Sequence, residues 1–551
     1  MGRRIVIDPI TRIEGHLRIE VEIEKGRVKN AFSTGMLFRG IEIILKGRDP
    51  RDAWLITQRV CGVCTYVHGE ASIRAIEDAA EMTIPPNARI IRNLMMSAQF
   101  VHDHVVHFYH LHALDWVDLI SALSADPKKT ADLANDISKK PGLGTGDFEG
   151  VKARLKTFVE SGQLGPFANA YWGHPAYKLP AEVNLLAAAH YLMALKQQVK
   201  MARTQAVFGG KNPHPQSLCP GGVTCGAYLN VDRISEYLYQ LNESIEFIEN
   251  IYVPDVLAMA SFYKDWGRIG GCANYLTWGE FPTSEKEPES FYIPRGVLFN
   301  RHLDTLETTD PKRVTEDVKR AWYEDGAPLN PARGDTRPVS PGSKIDTFSD
   351  NSKYSWLKAP RYNGRACEVG PLARVLVAYS RDHKDFKPMV NQVLKKLDLP
   401  PSALFSTLGR TVARAMETLV IARETKKWVM ALVENLKKGE TGTVGKWTMP
   451  EQAEGLGLND APRGGLGHWI EIENKKIKNY QMVVPSTWNL GPRDHTGQAG
   501  PVEEALIGTP VHDPKQPLEV LRTVHSFDPC IACAVHVIDP ETNEIYKFRV
   551  T

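Results

Sequence analysis

Arg59-Val-Cys-Gly-Val-Cys-Thr-Tyr-Val-His68 near the start of the chain and Asp528-Pro-Cys-Ile-Ala-Cys-Ala-Val-His536 near its end are two versions of one pattern. Each has two cysteines separated by two residues and followed by a histidine. This spacing lets both sulfurs point to one side of a tight turn or first helical turn, where free backbone N–H groups favour thiolate. Four thiolates can then converge on one soft metal. We therefore expect a fold that brings the two ends of the chain together.

The first alternative for such a site is zinc, which is the most common metal held by paired C-x-x-C motifs. Zinc ribbons close over about 15–20 residues, whereas these two motifs lie at opposite ends of the 551-residue chain. An ion that stabilises a small zinc domain is therefore disfavoured. Nickel, iron and copper(I) suit thiolates as well as zinc does, so the spacing alone does not select the metal.

The composition excludes several classes of protein. The chain has 67 basic and 65 acidic side chains and a net charge of +2, which gives no concentrated basic surface for nucleic acid. Its apolar stretches are broken by charges before they reach the roughly 20 residues of a membrane span. The basic start, Met1–Arg4, is not followed by the apolar core of a signal peptide. We expect any export to depend on a partner.

Periodicity predicts an α+β fold that is predominantly helical. Residues 18–24 alternate between polar and apolar and are followed by Gly26, which is typical of a β-hairpin. Helical periodicity covers residues 89–123, 181–206, 232–262 and 402–438. Because these segments are much longer than an average helix, they indicate a central bundle of long helices.

We predict one unit over residues 1–536, in which N- and C-terminal α/β regions flank the bundle. The regions are 1–85 with the first cysteine motif, 86–440 with the bundle, and 441–536 with the second motif. The connection over 278–371 is long enough to predict a peripheral wrap, a binding surface or short strands that periodicity misses. Residues 483–485 and 518–525 are the best candidates for buried segments in the last region.

A run of histidines follows the first long helical segment. His104, His107 and His110 recur at helical spacing. A metal site is conceivable, but no Glu-x-x-His pair occurs on a second helix. We predict buried imidazoles that are hydrogen-bonded within the bundle.

Four further stretches accompany the cysteine motifs: Asp8-Pro-Ile-Thr-Arg-Ile-Glu-Gly-His16, Phe38-Arg-Gly-Ile-Glu42, Ala461-Pro-Arg-Gly464 and Val484-Pro-Ser-Thr-Trp-Asn489. With them the chain resembles, from its first strand to its last residue, the large subunit of a [NiFe] hydrogenase of the periplasmic or membrane-bound uptake type. The set is specific. Related subunits of respiratory complex I share the fold and an Ala-Pro-Arg-Gly-like stretch but lack the four cysteines.

The resemblance implies a nickel–iron centre whose iron carries two cyanides and one carbon monoxide. Cys61 and Cys530 would be terminal nickel ligands, and Cys64 and Cys533 would bridge nickel and iron. His68 would be a hydrogen-bonding neighbour of the bridging thiolates.

Other residues of these motifs are expected around the same centre. Pro485 and Ser486 are predicted to line the cofactor. Arg493 matches the guanidinium that the family suspends over the metals, with Asp103 and Asp528 as its orienting carboxylates and Pro492 beside it. A guanidinium keeps its charge in a protein and would stabilise cyanide and polarised hydrogen.

Glu14 matches the family's proton gate near the terminal cysteine Cys530. A carboxyl buried beside thiolates has a raised pKa, which would suit it to exchange protons near neutrality. The alternative for Glu14 is a salt bridge to Arg12 or Arg18.

A separate magnesium site is also implied, with Glu42, His536 and the backbone carbonyl of Met482 as ligands. Oxygen ligands suit that hard cation. In the family, the tail that follows the histidine is removed after nickel insertion, so the extension 537–551 predicts a precursor that needs nickel-insertion proteins and a maturation protease. The alternative is that the extension is retained.

The activity implied is reversible, heterolytic cleavage of H2 into protons and electrons. The chain has no further cysteine cluster for iron–sulfur centres, so the electrons would pass to an iron–sulfur small subunit, with which the chain would be exported to the periplasm. His214 resembles a stretch near that interface, although a solvated turn is the plainer interpretation. The rival function is a zinc-thiolate structural or quinone-module subunit of a complex I-like assembly.

Overall fold

The computed structural model describes residues 3–138, 142–284, 290–341 and 351–531. The predictions for Cys533, His536 and the extension 537–551 lie outside these residues.

Within the described part of the chain, fifteen strands and sixteen α-helices are defined. The strands are β1 (Arg3–Ile7), β2 (Leu17–Glu24), β3 (Arg27–Gly35), β4 (Leu218–Cys219), β5 (Gly222–Val223), β6 (Tyr275–Thr277), β7 (Glu280–Pro282), β8 (Phe291–Ile293), β9 (Gly296–Leu298), β10 (Leu306–Glu307), β11 (Val314–Asp317), β12 (Ala359–Tyr362), β13 (Gln452–Ala461), β14 (Gly464–Glu473) and β15 (Lys476–Val483). The helices are α1 (Ile41–Leu45), α2 (Ala53–Thr57), α3 (Val67–Ala79), α4 (Pro86–Val106), α5 (Leu119–Ala122), α6 (Pro127–Ile137), α7 (Thr145–Glu160), α8 (Ala181–Gly209), α9 (Val231–Phe247), α10 (Val253–Phe262), α11 (Pro371–Ser380), α12 (Phe386–Leu397), α13 (Thr407–Lys437), α14 (Pro485–Leu490), α15 (Pro501–Leu506) and α16 (Leu518–Ser526). The fold is α+β, as predicted.

The N-terminal sheet is an antiparallel meander in the order β1-β2-β3. The predicted hairpin is confirmed, since Glu24 pairs with Arg27 across a two-residue turn. Both turn residues, Lys25 and Gly26, have positive φ (52° and 72°), as the tight turn that matches the twist of a hairpin requires. The connection between β1 and β2 carries Glu14.

The predicted bundle of long helices is confirmed. Helix α4 packs between α8 and α13, and α9 packs against both α8 and α13. Helix α13 begins at a Ser406 side chain that accepts the Gly409 N–H, a standard N-cap. Its first half is buried almost all round, which places it at the centre of the core.

Two of the predicted helical segments are not continuous α-helix. The segment predicted over 89–123 changes to a π-helix at His107–His112, and the segment over 232–262 does so at Ile248–Tyr252. The wider turn shifts the phase of the side chains, and the His107 and His112 rings stack with their centroids 5.3 Å apart. Two of the three histidines singled out by their spacing are hydrogen-bonded in the core, as predicted: His104 to Glu417 and His107 to the His525 carbonyl. The third, His110, is only half-buried, whereas the neighbouring His112 is buried and bonds to Asp115.

The long connection over 278–371 contains short strands that periodicity alone did not locate. They are β7 to β12, each two to four residues long, and they form small antiparallel ribbons such as β11–β12 and β7–β8. The short strands that the prediction allowed for are therefore present in the described part of this segment.

The C-terminal sheet, β13-β14-β15, packs against α3. Gly455 and Gly457 allow this contact, because a Cβ at either position would overlap a backbone carbonyl of α3, that of Ala75 or Ala71. The packing ties the helix that follows the first cysteine motif to the region that precedes the second. Helix α16 is buried throughout, as predicted for residues 518–525.

The two ends of the chain meet directly. Glu14 and Cys530 form an isolated parallel β-bridge, in which the Ile531 N–H donates to the Glu14 carbonyl at 2.6 Å and the Glu14 N–H donates to the Pro529 carbonyl at 3.3 Å. Among the helices of the described residues, none is both long and apolar enough to cross a membrane.

Candidate metal centre

The first cysteine motif forms a tight turn ahead of α3. Cys61 has extended backbone angles and ends a short 3-10 turn. Its sulfur accepts the backbone N–H groups of Val63 at 3.3 Å and Cys64 at 3.0 Å. These donors favour a thiolate, and they are the free N–H groups that the two-residue spacing predicts.

The second motif follows α16 and lies beside the N-terminal loop. Asp528 has a left-handed φ of 55°, which turns the chain toward Cys530. The Cys530 N–H donates to the Ser486 Oγ at 3.1 Å. Ser486, predicted to line the cofactor, thus contacts the backbone of a predicted ligand, and Pro485 begins the short helix α14 that carries it.

Three of the four predicted sulfur ligands lie together. The sulfurs of Cys61 and Cys530 are 3.1 Å apart, and all three sulfurs, with that of Cys64, lie within 4.8 Å of one another. All three residues are buried and none forms a disulfide. Cys533 lies outside the described residues.

The chemistry of this group fits a cation. The pKa of the Cys64 thiol is raised well above its usual value by hydrogen bonding to Cys530 and Cys61 and by burial. Neighbouring thiolates in a dry site repel one another, so several of them ionise together only when a metal ion supplies positive charge. Three convergent sulfurs favour a soft or borderline metal.

Glu14 contacts the sulfur cluster. The Cys530 Sγ donates to the Glu14 Oε2 at 3.2 Å, and Glu14 is only half-buried. Arg12 and Arg18, the arginines of the alternative salt bridge, pair with other carboxylates: Arg12 with Asp115, and Arg18 with Asp8 and Glu20. Glu14 therefore lies between a predicted ligand and the exterior.

The prediction that Arg493 pairs with Asp103 and Asp528 is wrong. The guanidinium between those carboxylates belongs to Arg463, which contacts Asp103 at 2.9 Å and Asp528 at 3.0 Å. The pKa of Arg463 is held well above its usual value. Burial opposes this shift, but the charges of Asp528, Cys530, Asp103 and Cys64 outweigh it. Arg463 is thus the fixed positive charge beside the sulfurs.

Arg493 lies elsewhere, against the N-terminal sheet. It contacts the Asn30 side chain and the Phe32 ring, and its Nε is 3.9 Å from the Glu503 carboxylate. The Pro492 carbonyl accepts from Arg361, so Pro492 belongs to the same neighbourhood. The proline that precedes Arg463, the arginine beside the sulfurs, is Pro462. Local sequence could not rank the two Pro-Arg pairs, because only the turn between β13 and β14 decides which guanidinium reaches the sulfurs.

His68 forms a buried chain of polar rings. Its Nδ1 is 3.2 Å from the His468 Nε2, and the His468 Nδ1 is 2.7 Å from the Tyr480 hydroxyl. Burial lowers the pKa of His68 to about 4, so the imidazole is neutral at physiological pH. His468 gave no motif signal, since it lies in the middle of a strand.

Glu42 and Met482 adjoin each other in a second polar group. The Met482 N–H donates to Glu42 at 2.8 Å, and the Thr336 hydroxyl also donates to Glu42. The Lys358 ammonium lies 3.8 Å from Glu42 and 3.0 Å from both Glu316 and Gln481. Lys358 and Glu316 come from the long connection, and Gln481 comes from β15. No sequence motif marked these three residues.

His214 adjoins the first cysteine motif. It is half-buried, with φ 59°, and its Nε2 lies 3.3 Å from the Cys61 carbonyl. The turn at His214 is therefore not wholly solvated.

Comparison with known proteins identifies the family. The profile of the nickel-dependent hydrogenase family matches residues 39–536, and a profile described as HoxL-like matches residues 4–34. Because the first match covers most of the chain, this protein belongs to the nickel-dependent hydrogenase family.

Full-length relatives agree with this assignment. The chain is 49% identical to the uptake hydrogenase large subunit of Rhizobium leguminosarum bv. viciae, over all of this chain and 98% of the relative. It is 45% identical to the hydrogenase-1 large chain of Escherichia coli K12, over all of this chain and 97% of that one. It is therefore a hydrogenase large subunit by sequence.

Solved structures of similar shape come from the same family. A [NiFeSe] hydrogenase of Dm. baculatum superposes with a TM-score of 0.78 at 35% identity, covering 97% of this chain and all of that chain. A variant of the Desulfovibrio vulgaris Hildenborough [NiFeSe] hydrogenase gives a TM-score of 0.80 at 35% identity, covering 97% and 99%.

Replacing Cys64 by serine is expected to abolish nickel binding, because a hydroxyl is a poor ligand for a soft or borderline metal. The matched control is Cys219→Ser, since Cys219 is a half-buried free cysteine in β4 and is expected to leave nickel stoichiometric. Elemental analysis of the purified subunit for nickel, iron and zinc makes the measurement. Stoichiometric zinc without nickel in the unaltered protein would contradict the assignment.

Proposed function

We propose that this chain is the catalytic subunit of a [NiFe] hydrogenase that cleaves H2 reversibly and heterolytically into protons and electrons. The observation that carries the proposal is the buried group of Cys61, Cys64 and Cys530 sulfurs with a fixed guanidinium and a half-buried carboxyl beside it. When bound there, a nickel–iron centre with two cyanides and one carbon monoxide would bind H2 and take up its electrons. Cys61 and Cys530 are proposed to hold nickel, and Cys64 and Cys533 to hold both metals.

Arg463 is proposed as the residue that stabilises charge at this centre. Its guanidinium is held on two sides by Asp103 and Asp528 and is fully buried with them. A pre-positioned cation in a dry site needs no reorganisation when charge develops nearby, and its effect is not screened by water.

Replacing Arg463 by lysine is expected to lower the rate of H2 oxidation by about 100-fold or more. Lysine keeps the charge but loses the planar fork that two carboxylates hold in place. Dye reduction by H2, measured on protein with verified nickel content, gives the rate. Arg493→Lys is the matched control, and little change in rate is expected, since Arg493 contacts Asn30, Phe32 and Glu503 in the N-terminal sheet region. The reverse ranking of the two variants would remove Arg463 from the mechanism.

Glu14 is proposed as the first carboxylate to receive the proton. The Cys530 thiol already donates to it at 3.2 Å, a distance within the range of a sulfur hydrogen bond. Because Glu14 is half-buried, one side of the carboxyl faces the sulfur while the other approaches the exterior. A proton released at the cysteine can therefore leave through this side chain.

Replacing Glu14 by glutamine is expected to reduce hydrogen–deuterium exchange between D2 and water by about 100-fold or more, since the amide cannot accept and pass on the proton. Nickel content should stay unchanged. The control is Glu22→Gln on β2, whose carboxylate is partly exposed and pairs with Arg4 at 3.7 Å. Undiminished exchange in Glu14→Gln, followed by mass spectrometry of the gas, would refute the role.

A magnesium site is proposed at Glu42, the Met482 carbonyl and His536. The Glu42 and Glu316 carboxylates and the Gln481 amide supply hard oxygen atoms at this place, as Mg2+ prefers.

An iron–sulfur small subunit is proposed as the electron-accepting partner, and export to the periplasm is proposed to occur with it. The relatives named uptake hydrogenase large subunit support this proposal. A large subunit requires a small one, and the remaining cysteines of this chain are not spaced to hold iron–sulfur clusters.

Removal of the extension 537–551 by a maturation protease, after nickel-insertion proteins have acted, is proposed as the last step of maturation. The match to the family profile ends at residue 536, which supports cleavage after His536. Intact-mass measurement of the subunit from active enzyme is expected to give a chain that ends at His536. A full-length chain in active enzyme would contradict this step.

A further inference from the structure

Asp115 is a buried carboxylate on which side chains from three distant parts of the chain converge. Its Oδ1 accepts from the Arg12 guanidinium at 2.7 Å, and its Oδ2 lies 2.7 Å from the His525 Nδ1 and 3.2 Å from the His112 Nδ1. Its backbone carbonyl accepts two N–H groups of Arg522. Asp115, His112 and His525 have no accessible surface.

His525 joins Asp115 to the N-terminal loop. Its Nε2 lies 2.8 Å from the Thr11 carbonyl oxygen, and its Nδ1 lies 2.7 Å from Asp115. Burial alone would raise the pKa of Asp115, but charged partners, Arg12 first among them, outweigh burial and hold that pKa well below its usual value. Both nitrogens of His525 therefore face oxygen atoms.

His112 plays a different part in the same cluster. Trp116 Nε1–H donates to the His112 Nε2 at 2.9 Å, so the proton of His112 lies on Nδ1 and points at Asp115. Burial lowers the pKa of His112 to about 4, in agreement with a neutral ring. The Asp115 carboxylate thus faces three side chains, of which the Arg12 guanidinium is permanently charged.

This arrangement argues against a metal ion on the same three side chains. His112, Asp115 and His525 have ligand atoms within reach of one ion. However, the His112 nitrogen carries hydrogen, and the Asp115 carboxylate already pairs with Arg12. A metal ligand needs a free lone pair, so the cluster is organised as a hydrogen-bonded clamp.

The clamp holds the loop that carries Glu14. Thr11 is tied through its carbonyl and Arg12 through its side chain, which also donates to the Leu111 carbonyl at 2.9 Å. Arg12 has a left-handed φ of 54°, an unfavourable conformation for a residue with a side chain, which persists when surrounding contacts impose it. His525 lies near the end of α16, five residues before Cys530. One carboxylate therefore joins the two segments whose contact places Glu14 against the Cys530 sulfur.

We propose that Asp115, tied to Arg12 and His525, is a positioning residue for proton transfer, since it sets the distance between the Glu14 carboxyl and the Cys530 sulfur. The inference rests on the proposed function of Glu14. Asp115 and its partners are not proposed to contact substrate or metal.

The test is Asp115→Asn in the complete enzyme. Asparagine keeps the shape but turns an NH2 group toward donors, which should loosen the loop. We expect hydrogen–deuterium exchange to fall by about 10- to 100-fold, the size of effect that a displacement of about 1 Å can produce. The infrared bands of carbon monoxide and cyanide should stay in place, while the carboxyl band of Glu14, identified by its loss in Glu14→Gln, should shift.

Glu77→Gln is the matched control. Glu77 is also a buried carboxylate that receives an arginine, at 2.7 Å from Arg92, and it accepts the Gly221 N–H, but its partners are not in the Glu14 loop. If Asp115 has only a structural role, Asp115→Asn and Glu77→Gln should reduce hydrogen–deuterium exchange equally at matched thermal stability. That result would overturn the proposal. If Asp115→Asn does not accumulate as folded enzyme, Arg12→Lys tests the same clamp with the charge retained.

Neutron diffraction on deuterated crystals gives a second readout, independent of turnover. Deuterium on the His112 Nδ1, which faces Asp115, is expected, and its absence there would overturn the proposal. Failure of the proposed role of Glu14 looks different, because exchange would then be undiminished in Glu14→Gln, whereas failure of the clamp leaves exchange sensitive to Glu14→Gln and insensitive to Asp115→Asn.

Discussion

The strongest constraint on this fold is the contact between sulfur atoms from opposite ends of the chain. Cys61 and Cys64 precede helix α3, and Cys530 follows helix α16. Their sulfurs nevertheless lie within 4.8 Å of one another. Closing so long a loop costs conformational entropy, and crowding thiolates in a dry site costs electrostatic energy. The helical core offsets the first cost, and a bound cation offsets the second. The fold can thus be understood as a scaffold that keeps two short turns in register.

Around this contact the buried charges are arranged in pairs. Arg463 forms ion pairs with both Asp103 and Asp528, and Arg374 pairs with Glu417 in the bundle. Removing one partner of a buried pair leaves an uncompensated charge, at a cost of about 3–5 kcal/mol. The site is therefore rigid in a specific sense, because the guanidinium beside the sulfurs cannot move without losing its ion pairs to two buried carboxylates.

The limits of sequence reasoning are clearest in the two Pro-Arg pairs. Ala461-Pro-Arg-Gly464 belongs to the motif set that reveals the family, and Pro492-Arg493 lies between two other motifs, so both arginines are plausible neighbours of the metals. The two positions are separated by β14, β15 and α14, and only the turn after β13 points its guanidinium inward. Periodicity likewise missed the π-helix at His107–His112, since a change of helical pitch leaves no compositional mark. His107, at its start, contacts the His525 carbonyl in α16.

What the sequence determined by itself was the ligand chemistry and the general architecture. Two C-x-x-C motifs specify thiolates at both ends, and long apolar-periodic segments specify a bundle between them, because ligand type and helix formation depend on residues that are local in the chain. Only the tertiary structure decided which groups surround the sulfurs. Arg463, Ser486 and the Asp115 clamp are brought in by segments remote in sequence, and their partners follow from strand turns and helix packing, which no local pattern encodes.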